Sequence, residues 1–242
     1  MNRFDFRNKK PLLSGRFFIF NDKIKAMSFL PFTFYYYLFS LIIALFVYSN
    51  TRYSYIKIFP FFLLVTIIAE FLGLYFAKIH KPNVFIYNFF TVAEFIFYTL
   101  LIRHIIRNPK AKKIIAWCAV LYTATSIGNI FFFQGVQKFH TVTYSLGCLL
   151  IVIICFYYFM ELFNSPRSEK LLADPSFWIC SGLLFFYCCS FPLYAFSNFW
   201  FGFKWMRKSF TDIINILNIL LYSMFIIAFL CSRTRKYISS SS

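Results

Sequence analysis

Two acidic residues, Glu70 and Glu94, carry the chemical interest of this sequence. Glu70 lies in IFPFFLLVTIIAEFLGLYF and Glu94 in VFIYNFFTVAEFIFYTLLI, apolar segments at Ile58–Phe76 and Val84–Ile102. The short polar hinge KIHKPN, Lys78 to Asn83, joins them, so the two segments fold back as an antiparallel helical hairpin. At a rise of ~1.5 Å per residue, Glu70 sits about 10 Å and Glu94 about 15 Å from the hinge end. A carboxyl group at that depth in hydrocarbon is costly, and its ordinary uses are to hold a proton, a cation or a cationic ligand. Two of them at similar depth predict one shared site.

The other polar groups within apolar segments gather at the same end. Asn88, Asn129, Asn215 and Asn218 all fall in the hinge-side half of their segments or near the midplane, as does Thr91. Spacings of three and four form four stripes: Thr66–Glu70–Gly73–Ala77, Tyr87–Thr91–Glu94–Tyr98, Tyr122–Thr125–Asn129 and Thr211–Asn215–Asn218–Tyr222. Lipid cannot satisfy their hydrogen bonds, so these faces are expected to turn inward and line a polar cavity around the acids. Small and polar stripes are also ordinary packing glue between membrane helices, and for the Asn, Thr and Tyr positions that is the first reading. For Glu70 and Glu94 the functional reading comes first. The candidate ligand- or proton-binding set is therefore Glu70, Glu94, Asn88, Thr91, Asn129, Asn215 and Asn218.

The elements that must position this set are membrane helices. The chain is 60% hydrophobic with a mean hydropathy of +0.67, more apolar surface than a soluble domain can bury. Seven spans are expected near Phe29–Tyr48, Ile58–Phe76, Val84–Ile102, Ile114–Phe133, Val142–Met160, Phe177–Phe196 and Phe210–Leu230, an all-α polytopic bundle. Residues 1–26 read as a basic extension or an over-extended start, since Met27 opens a natural beginning. Residues 27–236 form the transmembrane domain and 237–242 a short polar tail. Pro192 should kink or loosen the sixth span.

The formal charge of +17 would suit a nucleic-acid binder, but its basic residues lie between the spans, where they meet headgroups and set topology. Six, from Lys78 to Lys208, fall at the hinge end, and twelve, from Arg52 to Lys236, at the opposite end. The positive-inside rule then favours N-out, C-in, with the hinge outside; the seven basic residues of the extension would offset that bias. Nucleic acid is excluded as a partner because no soluble module could present the charge.

Several chemistries are excluded by missing residues. No GxSxG, HExxH or Walker loop occurs. The seventh span lacks the lysine that a retinal Schiff base would need. The seven cysteines include no CxxC pair and read as packing residues. A Glu70–Glu94–His140 metal site is conceivable, but its spacing is no known metal motif, so no metal and no cofactor are assigned. His104 reads as a headgroup-level residue, Phe199–Trp205 as an interfacial aromatic belt, and the 38 Phe and 17 Tyr mostly as lipid-facing or packing groups. No catalytic residue is assigned, and the chain is not expected to be an enzyme.

The patterns FPFFLLVTIIAE around Glu70, YNFFTVAEFIFY around Glu94, DPSFWI at Asp174–Ile179 and FP at Phe191–Pro192 resemble those of a bacterial seven-helix inner-membrane family without an assigned activity. The likeness runs from Met27 to Lys236. It implies fold and location, the bacterial plasma membrane, and no mechanism. With the one-sided polar cavity, the expected function is a membrane sensor or accessory subunit binding a small or cationic ligand on the periplasmic side. Beyond the lipid bilayer, signalling would need a cytoplasmic or membrane partner. A proton- or cation-coupled transporter and a structural subunit are the alternatives.

Overall fold

The structure, a computed structural model, describes residues 32–164, 168–197 and 204–238. The N-terminal extension, the start of the first expected span and the belt residues Phe199–Phe203 lie outside them. The described elements are all helical: α1 Phe32–Tyr48, α2 Phe59–Lys78, α3 Val84–Ile105, α4 Pro109–Gly128, α5 Thr141–Phe163, α6 Pro175–Ala195 and α7 Lys204–Ile238. Short 3₁₀ turns at Ile56–Ile58 and Ser168–Ala173 precede α2 and α6, and a π turn, Asn129–Phe133, continues α4. Six helices are long and apolar enough to cross a membrane; α1, at 17 residues, is apolar but shorter.

Local sequence sets the helix boundaries. Pro60, Pro109 and Pro175 stand in the first turn of α2, α4 and α6, where a missing N–H costs nothing. Asn108 and Asp174 cap α4 and α6 by accepting from Lys110 N and Ser176 N. At the end of α2, His80 takes a left-handed conformation (φ 55°) while Lys81 N donates to Phe76 O and His80 N to Ala77 O, the Schellman pattern that lets the hinge reverse direction. Pro192 lies one turn before the end of α6, and the helix continues past it to Ala195.

The helices close in chain order, α1 against α2, α2 against α3 and so on round to α7 against α1, with α3 also reaching α5. The core between them is strongly aromatic: Phe62 and Phe97 stack at 4.0 Å, and Phe59 meets Phe225 and Phe229 edge-on at 5.1 and 5.2 Å. The outside is apolar too. Trp117 is 67% exposed and Phe132 and Phe133 are each 85% exposed, so large hydrophobic groups face outward all round the bundle. A surface of that kind is stable only in lipid, which makes the chain a multi-pass membrane protein.

Candidate functional site

Glu70 on α2 and Glu94 on α3 occupy one interior layer, close enough for the charge of Glu70 to act on Glu94. Tyr87 Oη donates to Glu70 Oε2 at 3.3 Å. That approach depends on Gly73, one turn beyond Glu70: a Cβ there would strike the Tyr87 hydroxyl and ring. The small residue in the first stripe thus makes room for a tyrosine of the second. Asn83 Nδ2 donates to Gly73 O at 3.0 Å and ties the hairpin at its hinge end.

Tyrosines complete the layer. Tyr37 on α1, Tyr98 on α3, Tyr122 on α4, Tyr144 on α5, Tyr187 on α6 and Tyr222 on α7 are buried, and each lies within electrostatic reach of Glu94. Six of the seven helices therefore add a phenol to the carboxyl pair, and the seventh carries Glu70. Tyr37 packs on Tyr222 at 4.6 Å, and the Tyr122 ring lies over Gly147, which could not carry a Cβ without a clash. The Tyr187 hydroxyl is buried without a hydrogen-bond partner, and that of Tyr98 approaches the Glu94 carboxyl. These rings were not singled out by the sequence beyond Tyr87, Tyr98, Tyr122 and Tyr222, because a tyrosine in a phenylalanine-rich helix reads as packing.

A second polar cluster sits at the hinge-side end of α3 and α5. Asn88 Nδ2 donates to Val136 O (3.2 Å) and Lys138 O (2.9 Å), and its Oδ1 accepts from His140 N (3.2 Å). One carboxamide thereby fixes the α4–α5 loop, whose turn at Gly135 uses a positive φ of 80°. Thr91 Oγ1 donates to Tyr87 O at 2.8 Å, so its remaining 2.8 Å contact must accept from His140 Nε2. His140 Nδ1 then accepts from Thr143 Oγ1 at 2.7 Å, and Thr143 accepts from Asn129 Nδ2 at 3.2 Å. The network assigns the imidazole proton to Nε2 and leaves neither ring nitrogen open. Burial holds His140 neutral, its pKa lowered to about 4. Asn129 reaches both Thr143 and Gln134 Oε1 (2.7 Å) from the start of the π turn, which carries Gln134 N to Asn129 O.

Of the expected set, then, Glu70 and Glu94 come together; Asn88, Thr91 and Asn129 come together around His140. Asn215 and Asn218 are half-buried on α7, where Asn218 Nδ2 donates to Ile214 O of its own helix. Thr125 and Thr211, expected to face inward, are exposed; Thr125 donates to Leu121 O within its own helix. Among the described residues no three His, Cys, Asp or Glu side chains converge on a metal position.

Beyond the glutamate layer, away from the hinge, the buried residues are mostly apolar, Leu63, Ile102, Leu183 and Phe225 among them. Past them the bundle becomes polar again. A cavity of about 310 Å³ opens at the far end between the starts of α2 and α6 and the ends of α3 and α5. Its wall includes Tyr55, whose hydroxyl meets Ser176 Oγ at 2.7 Å, and Glu161, which accepts from Arg107 N and Asn108 N at 3.0 Å. Little in the residue pattern pointed to it, since its residues come from four separate segment ends. The chain matches no protein-family model, no curated protein and no solved structure.

The role of Gly73 has a direct test. Gly73→Ala should cost about 1–3 kcal/mol of stability by pushing Tyr87 off Glu70. In a Tyr87→Ala background the same change should be close to neutral, because the ring it strikes is gone. Equal losses in both backgrounds, measured by unfolding in mixed micelles, would contradict this geometry.

Proposed function

We propose that the Glu70–Glu94 layer binds a small cationic ligand or cation, and that the protein works as a membrane sensor or accessory subunit. The observation that carries the reading is the joint presence of two carboxyl groups in one layer and a surround of phenols, one of which, Tyr187, has a buried, unpartnered hydroxyl. Carboxylates supply charge, tyrosine faces attract a desolvated cation, and hydroxyls supply hydrogen bonds, a combination suited to an ammonium group. The excess of basic residues at the opposite end favours placing the hinge end outside, facing the periplasm of a bacterial inner membrane. A sensor of this form hands its signal to a cytoplasmic or membrane partner.

The test is thermal stability of the purified protein with a panel of metabolites and cations, for wild type, Glu70→Gln and Glu94→Gln. A ligand that raises the melting temperature of wild type and of neither variant supports the reading. If no cation acts and both variants match wild type, the acids are packing groups and the protein is a structural subunit. A proton- or cation-coupled transporter is the second reading, favoured by the far-end cavity, which places polar groups on both sides of the apolar layer. Cation- or proton-dependent flux in proteoliposomes, abolished by Glu94→Gln, would select it.

A further inference from the structure

The far-end cavity has a composition that neither headgroup anchoring nor packing calls for. It brings basic and acidic side chains round one open cleft: His104 and Arg107 at the end of α3, and Glu161 and Asp174 at the end of α5 and the start of α6. Its acidic groups are held in place by the backbone. Glu161 accepts from the Arg107 and Asn108 N–H groups, and Asp174 Oδ1 accepts from Ser176 N at 3.1 Å. The opposing wall is fixed by the Tyr55–Ser176 hydrogen bond. Tyr158, only 5% exposed, lines the same cavity, yet its hydroxyl has no hydrogen-bond partner. Buried hydroxyls are almost always paired, so a lone one beside a cavity points to a missing occupant.

We propose that this cavity binds a phosphoethanolamine group, an anionic phosphate ester joined to a primary ammonium. Its volume sits at the lower end of small-ligand sites and suits a headgroup-sized occupant. The phosphate pairs with His104 and Arg107, and Tyr158 in the cavity wall can donate its hydroxyl proton. The ammonium, with three N–H donors, pairs with Asp174 and the hydroxyl oxygens beside it. A trimethylated ammonium has no N–H to offer and leaves these acceptors unpaired, which is the basis of discrimination. The cavity stands where the spans end, at the level of lipid headgroups, and Ile105 and Leu162 give it an apolar flank. The same chemistry can arrive as a lipid headgroup or as a free soluble molecule. The DPSFWI pattern, with Asp174 and Ser176 in it, acquires a purpose from this site.

The experiment uses delipidated full-length protein, native mass spectrometry and thermal stability, with phosphatidylethanolamine, phosphatidylcholine and soluble O-phosphoethanolamine as probes. Wild type should bind phosphatidylethanolamine at least 5-fold more tightly than phosphatidylcholine. Asp174→Asn, which keeps the helix cap, should bring that ratio close to one, and His104→Gln should weaken binding of both lipids at least 5-fold. Glu70→Gln should leave it unchanged, which separates this site from the glutamate layer. Stabilisation by soluble O-phosphoethanolamine, lost in the same two variants, would assign the site to a free ligand instead of a lipid and keep the chemistry. Equal binding of both lipids with no effect of the soluble molecule would overturn the proposal. So would an unchanged preference in folded Asp174→Asn protein, or undiminished binding of both lipids in folded His104→Gln protein.

Discussion

Asn88→Ala should lower the unfolding free energy by about 3 kcal/mol, the largest loss expected from any single polar truncation in the hinge-side half. Asn88 is fully buried, and its amide serves two loop carbonyls and one loop N–H. Truncation leaves all three without their partner, the His140 N–H buried and the two carbonyls in half-buried residues, and each unsatisfied group costs on the order of 1 kcal/mol. Asn218→Ala is the control. Its amide donates only to Ile214 O, a carbonyl within its own helix, so its loss should stay below about 1 kcal/mol. Reversible unfolding by SDS in mixed micelles reads both, and a similar loss for the two would mean that the Asn88 clamp carries no special weight.

The second large effect is a pH dependence centred on His140. Its folded pKa of about 4 lies below the ordinary 6.5, so the unfolded chain takes up a proton that the folded protein refuses. Stability from this group is therefore complete above pH 6.5 and is lost as pH falls toward 4, where the loss levels off. The full span corresponds to about 3 kcal/mol, with a limiting slope of about 1.4 kcal/mol per pH unit. Protonation would require Nδ1 to become a donor toward Thr143, whose hydroxyl proton would turn to His140 O, 3.3 Å away. His140→Gln removes the titrating group. The difference in pH slope between it and wild type over pH 6.5 to 4 should approach one proton. Parallel profiles would show that His140 is not held neutral by the fold.

The hairpin and its acids were legible because they depend on short-range facts. Long apolar runs define the spans, the KIHKPN hinge forces reversal, and Glu70 and Glu94 fall at similar depth, although depth alone does not fix whether they face each other. The inward direction of the polar stripes was only half legible. Thr125 can satisfy its hydroxyl on Leu121 O and so has no need to face the interior, a freedom that threonine has in any helix. The π turn at Asn129 was invisible, since nothing in NIFFF marks a widened turn. His140 looked like an isolated histidine at a segment end because its partners, Thr91 and Asn88, stand about fifty residues earlier. The far-end cavity was hardest of all. Tyr55, His104, Glu161 and Asp174 each look like an interfacial residue, and only the closure of the helix ring makes them neighbours.

The mostly apolar zone that holds Leu63, Ile102, Leu183 and Phe225 has a consequence for voltage. Polar zones hold the more polarisable material, so the low-dielectric layer between them is where most of a membrane potential must fall. A charge entering either zone from its own side crosses little of that field, and its occupancy should respond weakly to voltage. A unit charge taken from one zone to the other crosses nearly all of it, about 2.3 kcal/mol for every 100 mV. Voltage dependence should therefore belong to passage through this zone and hardly at all to binding on either side of it.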